Sequence, residues 1–149
     1  MEGHVAYPFP SQAWVQALIS ILNSDNRYAE VARNWEGDLV FAVEPDDDGQ
    51  SNDPQAQVVR IYLDLWHGKC RDGYMVEDGM AVAPPAKYVL SALRSNFLRI
   101  LSGELDAMQA MLTRRLRVDG SMAYMLRNVP TVLDFVRCTK RVEITDSRP

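Results

Sequence analysis

Between Leu39 and Ala92 apolar residues recur at every second position in short runs. Before and after that stretch they recur at every third and fourth. A strand sends alternate side chains to opposite faces, whereas a helix returns to one face about every 3.6 residues. The chain therefore reads as helices, then strands, then helices. Strands grouped in this way, with helices at both ends, predict an α+β domain whose sheet carries helices on one face.

The first helical stripe is Trp14, Ala17, Leu18, Ile21 and Leu22, with Ser11 placed to cap it. Asn23-Ser24-Asp25-Asn26 breaks that helix with residues that bond to their own backbone. Tyr28, Val31, Ala32 and Trp35 then mark a second helix. Leu39, Phe41 and Val43 form a first strand, and Val59, Ile61, Leu63 and Leu65 a clearer second one. His67-Gly68-Lys69 is a turn into a returning antiparallel strand from Cys70 to Val76. Pro84-Pro85 leads into a strand with Tyr88, Leu90 and Ala92 on one side.

From Leu93 the helical spacing returns. Leu93, Phe97, Ile100 and Leu101 share a face, and Gly103 ends the helix. Asp106 caps a helix with the stripe Met108, Met111 and Leu112. Leu116 and Val118 make a short fifth strand, and Gly120 turns the chain into Met122, Met125 and Leu126. Pro130 opens a last helix with Val132, Leu133 and Val136 inward. One domain over residues 1–149 is expected, with an acidic loop at 45–56 and a frayed tail at 141–149.

Charge and cysteine usage exclude several classes. The net charge is −4, so no basic face for nucleic acid is expected. Contact with a membrane would have to be transient and partly apolar. Cys70 and Cys138 form no CxxC pair and have no histidine at ligand spacing, which predicts reduced, buried thiols and no metal site. The first ten residues lack the features of a signal peptide. No run of about 18 apolar residues occurs, and the chain does not end in Ser-Lys-Leu. The expected location is the cytoplasm.

The segment Ile100-Leu101-Ser102-Gly103-Glu104-Leu105-Asp106 is followed by a helix, and then by Leu116-Arg117-Val118-Asp119-Gly120-Ser121-Met122. An apolar Met125-Leu126 turn and a final helix come next. This pattern resembles the C-terminal half of the sterol carrier protein-2 family of lipid-binding domains. The order of elements before it, with Trp35-Glu36-Gly37 ahead of the first strand, is compatible with that family. Three features depart from it: the acidic insertion from Asp46 to Asp53, the interruption of the returning strand by Asp72-Gly73, and the missing peroxisomal terminus.

The resemblance implies a five-stranded mixed, largely antiparallel sheet covered by helices, with an apolar tunnel between the layers. On that basis Phe97, Leu101, Leu105, Met108, Met111, Leu112, Met122, Met125, Leu126 and Leu133 are the candidate lining residues, with Met80 and Val129 as further apolar side chains. Methionine suits such a role because its flexible thioether adapts to varied shapes; without the resemblance, these methionines read as fillers of an ordinary core. Arg114, Arg115 and Arg117 are the candidates for a lipid head group. The simpler reading of Arg115 and Arg117 is the solvent face of an edge strand, where charge discourages aggregation.

The function implied is non-covalent binding and transfer of a sterol, a fatty acid or a fatty acyl-coenzyme A, with no cofactor and no catalysis. A second reading is an accessory subunit that presents an apolar substrate to a separate enzyme. A third is a small hydrolase or isomerase that uses His67 oriented by Asp64. No nucleophile elbow, P-loop or dinucleotide fingerprint accompanies that pair. His4, Glu36 and Asp38 read as surface residues, and each tryptophan as a core or sheet-edge side chain.

Overall fold

The computed structural model of the protein describes residues 6–46, 58–76 and 86–145. Helices α1 (Gln12–Ser24) and α2 (Asn26–Val31) precede strands β1 (Leu39–Glu44), β2 (Val59–Trp66), β3 (Lys69–Val76) and β4 (Tyr88–Leu93). Helices α3 (Arg94–Leu101) and α4 (Ala107–Leu112), strand β5 (Arg117–Asp119), and helices α5 (Met122–Arg127) and α6 (Val129–Lys140) complete the order. The element types agree with the apolar spacing throughout. Most of the acidic loop, together with Pro84-Pro85, Met80, His4 and the last four residues, lies outside the described residues.

The caps explain where the helices begin. Ser11 Oγ accepts from the Trp14 N–H at 3.1 Å, and Asp25 Oδ1 from the Tyr28 N–H at 2.8 Å. Asp106 Oδ2 accepts from the Gln109 N–H at 3.0 Å, and Ser121 Oγ from the Tyr124 N–H at 3.1 Å. Each satisfies an amide that the first helical turn leaves without a partner.

The sheet order is β3-β2-β1-β4-β5, antiparallel except for the parallel pair β1 and β4. The sheet is five-stranded, mixed and largely antiparallel, as expected. His67 and Gly68 both have positive φ, 51° and 80°, the conformation that matches a two-residue turn to strand twist. A side chain at Gly68 would also lie 2.6 Å from the Ala29 carbonyl oxygen. The Asp72-Gly73 step does not interrupt β3: the register shifts opposite Asp64 and Leu65, and pairing continues. Gly73 is instead a point of close approach, where a Cβ would meet Leu63 at 2.9 Å and Ile19 of α1 at 3.0 Å.

One face of the sheet, with Leu39, Phe41, Val43, Ile61, Leu63, Leu65, Tyr88 and Ala92, is buried against the helices. Trp14, Phe9, Phe41, Phe97 and Phe135 form its aromatic centre, with ring centroids 4.8 Å apart for Phe9 and Trp14 and 5.4 Å for Phe41 and Phe97. An ion-pair network closes the helical layer. Arg137 of α6 reaches Asp134 at 2.8 Å and Asp25, at the α1–α2 corner, at 2.8 Å, while Arg141 reaches Asp25 at 2.6 Å. The hydrogen bond from Arg137, then that from the Tyr28 N–H, hold the Asp25 carboxyl down at about 2.

Two local expectations are corrected. Residues 141–145 are not frayed: Val142 is buried, the Tyr7 N–H donates to the Glu143 carbonyl at 2.9 Å, and the Thr145 N–H donates to the Tyr7 carbonyl at 2.8 Å. Backbone pairing with the N-terminal segment, which also buries Phe9, holds them in place. On α4 the buried residues are Ala107 and Ala110, while Met108 and Met111 are half-buried and Leu112 is 80 % exposed. Small side chains let this short helix approach the core closely, and that turns Leu112 outward.

Candidate functional site

Between the sheet and helices α3 to α6 lies a cavity of about 80 Å³. Its floor is Leu39 and Phe41 of β1, Leu65 of β2, and Tyr88 and Leu90 of β4. Phe97, Ile100 and Leu101 of α3 close one side, and Val132, Phe135 and Val136 of α6 another. Met111 of α4, Leu116 and Met125 of α5 complete the wall, with Tyr28 and Trp35 at the α2 end.

The wall is almost wholly apolar, although several lining residues carry polar atoms. Four of those atoms are committed elsewhere. Trp35 Nε1 donates to the Gly37 carbonyl at 2.8 Å, and the Tyr88 hydroxyl to the Ser121 carbonyl at 2.5 Å. Thr131 Oγ1 donates to the Val31 carbonyl at 3.1 Å, and Thr139 Oγ1 to the Val136 carbonyl at 2.6 Å. Burial pushes the Tyr28 and Tyr88 hydroxyl pKa values upward, so both phenols are neutral across the physiological range. A space of this polarity offers water too few partners to hold it.

Short helix α5 is set in place by a separate cluster. Tyr124 packs on Trp35 with centroids 5.1 Å apart, and its hydroxyl accepts from the Glu36 N–H at 3.0 Å. Lys87 Nζ lies 3.7 Å from the Tyr124 ring centroid and donates to the Glu36 carbonyl at 2.9 Å. With Tyr124 clamped, the next residue, Met125, faces the cavity. Leu101 borders both this cavity and an open groove formed by Leu98, Arg99, Ser102, Glu104, Lys140 and residues 142–145.

The structure brings together only part of the lining set read from the sequence. Phe97, Leu101, Met111 and Met125 border the cavity. Leu105 is buried in the core and Met108 is half-buried, and neither borders the cavity. Leu112, Met122, Leu126 and Leu133 face outward, at 80 %, 41 %, 57 % and 46 % exposure. The sheet floor and the α6 residues Phe135 and Val136 belong to the site as well. The strand alternation carried the signal for the floor, since Leu39, Phe41, Tyr88 and Leu90 are the residues it turns inward.

None of the three candidate head-group arginines borders the cavity. Arg114, at φ 63°, and Arg115 are exposed in the turn after α4. Arg117 sits on the solvent side of β5 and pairs with Glu44. The His67–Asp64 pair does not form either: His67 Nε2 lies 2.7 Å from Glu36 Oε2, and Asp64 is held by Arg71 at 3.2 Å. Among the described residues, Asp25, Asp134 and Cys138 could be gathered around a metal ion. The two carboxylates are already neutralised by Arg137, so this cluster reads as an ion-pair lock.

An α+β fold whose helices leave a dry, apolar hollow against a five-stranded sheet defines a class of proteins that enclose hydrophobic ligands. The chain belongs to the SCP-2 sterol transfer family, which it matches over residues 18–132. Sterol carrier protein 2 in a crystal structure is 28 % identical, with a TM-score of 0.75 over 89 % of this chain and 97 % of that one. A conserved hypothetical protein from Thermus thermophilus, described as possibly a sterol carrier protein, is also 28 % identical, with a TM-score of 0.76 over 97 % and 99 %. Sterol carrier protein 2 from Yarrowia lipolytica, in its apo form, shares the fold at 16 % identity and a TM-score of 0.53, over 84 % and 88 %. No curated protein sequence matches the chain.

Proposed function

We propose that the protein binds one lipid by its hydrocarbon part in the cavity between sheet and helices, and carries it without covalent chemistry. The observation that carries this reading is an apolar cavity of about 80 Å³. Left unfilled, such a space costs about 2 kcal/mol, which a hydrocarbon guest recovers. Family membership and two structural relatives of matching length support the same reading.

Size and softness of the wall favour a flexible acyl chain over a rigid sterol nucleus. On the scale at which a cavity of about 150 Å³ accepts benzene, this hollow of about 80 Å³ takes about three methylenes. Burying them is worth about 2.5 kcal/mol. A longer chain gains more by displacing Leu101 into the groove beyond it, or by pushing aside the pliable Met111 and Met125.

Native mass spectrometry of the purified full chain, alone and after mixing with hexadecanoic acid, its coenzyme A ester or cholesterol, tests the reading. The expected result is a one-to-one adduct with the acyl ligands and a weaker one with the sterol. A chain that takes up none of them overturns it.

A further inference from the structure

Leu101 closes the hollow on one side and faces the open groove on the other. That groove has a volume of about 470 Å³, several times that of the hollow. The last turn of α3, with Leu98, Arg99 and Leu101, makes one wall. Lys140 at the end of α6 and residues 142–145 make the other. That second wall is fixed by its two backbone hydrogen bonds with Tyr7. Leu98, Leu101, Val142 and Ile144 give the groove an apolar lining in which charged groups are set.

Those charges are unevenly satisfied. Glu104 faces Arg99 at 3.4 Å, and Glu143 has a partner as well. Lys140 has no ion pair among the described residues. Its stem lies across the α3–α4 turn, with Cδ 3.8 Å from where a Cβ on Gly103 would stand. Arg99 Nε is enclosed yet makes no hydrogen bond, one of two such side-chain atoms among the described residues. A cation in the last turn of a helix commonly answers the helix dipole. That accounts for a basic residue at each position. It does not account for an enclosed donor left without an acceptor, an arrangement that costs stability. An anionic oxygen in the groove would complete both cations.

We propose that the groove takes the carboxylate end of a long-chain fatty acid whose tail fills the hollow, with Arg99 and Lys140 as its anchors. The inference rests on the carrier reading above and adds to it the class of ligand and the place of its head. On the scale at which about 150 Å³ accepts benzene, the hollow holds about three carbons. The groove has room for the roughly thirteen that a sixteen-carbon acid leaves outside. Leu101 then marks where the chain passes from one space to the other, and Leu98, Val142 and Ile144 cover its middle. A sterol, with a rigid ring system and a neutral hydroxyl, offers the two cations no anion.

Hexadecanoic acid and 1-hexadecanol share a chain and differ in the head, so displacement of Nile red from the full chain by each of them provides the test. At neutral pH the wild-type protein is expected to bind the acid about tenfold more tightly than the alcohol. Arg99→Gln with Lys140→Gln should remove that preference by weakening the acid alone, leaving the alcohol at its wild-type affinity as the sign of an intact fold. Lys140→Gln by itself, at an exposed position where folding is not at stake, should lower the preference about threefold. Lys140→Arg should keep it. Equal binding of acid and alcohol by the wild-type chain overturns the head-group site and leaves the carrier reading standing. So does a preference that survives in both glutamine variants, or a parallel loss of acid and alcohol in Lys140→Gln. A chain that takes up neither ligand overturns both readings.

Discussion

Replacing Val132 with phenylalanine places a ring in the cavity from the α6 wall. Val132 is half-buried there and borders the hollow. The space of about 80 Å³ holds about three methylenes, and the roughly four carbons that the substitution adds fill it. A guest then loses the burial of about three methylenes, about 2.5 kcal/mol, or roughly fiftyfold in Kd. Folding stability should move the other way, by up to about 2 kcal/mol, as the void is filled. Displacement of a fluorescent fatty acid by decanoic acid measures the first quantity, and urea unfolding of the empty protein measures the second. Leu126→Phe, on the exposed side of α5, should change neither. Wild-type affinity in a Val132→Phe protein that is equally or more stable would refute the placement of the guest.

Two further outcomes concern the frame around the cavity. The Asp25 carboxyl titrates at about 2 when folded, below its ordinary 3.8, so its stabilising contribution is complete above about pH 4 and disappears as pH falls through 2. Arg137→Gln should cost about 3 kcal/mol at pH 7 and flatten the acid limb of a urea-derived stability profile between pH 4 and 2; parallel acid limbs in the two proteins would contradict this. Burial pushes the Cys70 thiol up to about 12 and the Cys138 thiol up to about 11, so a thiol reagent at pH 8 should label either one only as the chain unfolds. Rapid labelling of the native protein would show that these sulfurs are not enclosed.

The chain's own pattern determined the kind and order of its elements, because the difference between a two-residue and a 3.6-residue period is local. Runs such as Val59, Ile61, Leu63 and Leu65, or Trp14, Leu18 and Leu22, are long enough to display it, and Ser11 and Asp106 mark their own helix starts. Tertiary structure decided that β4 runs parallel beside β1 instead of continuing from β3, since pairing of strands distant in sequence leaves no local trace. It also decided which apolar residues see the cavity. Helices α4 and α5 have six residues each, less than two turns, so spacing cannot single out the buried face. Packing of Ala107 and Ala110 against the core on one helix, and the clamp on Tyr124 in the other, settled it. Met111 and Met125 turned inward, and Leu112 and Leu126 were left to the solvent.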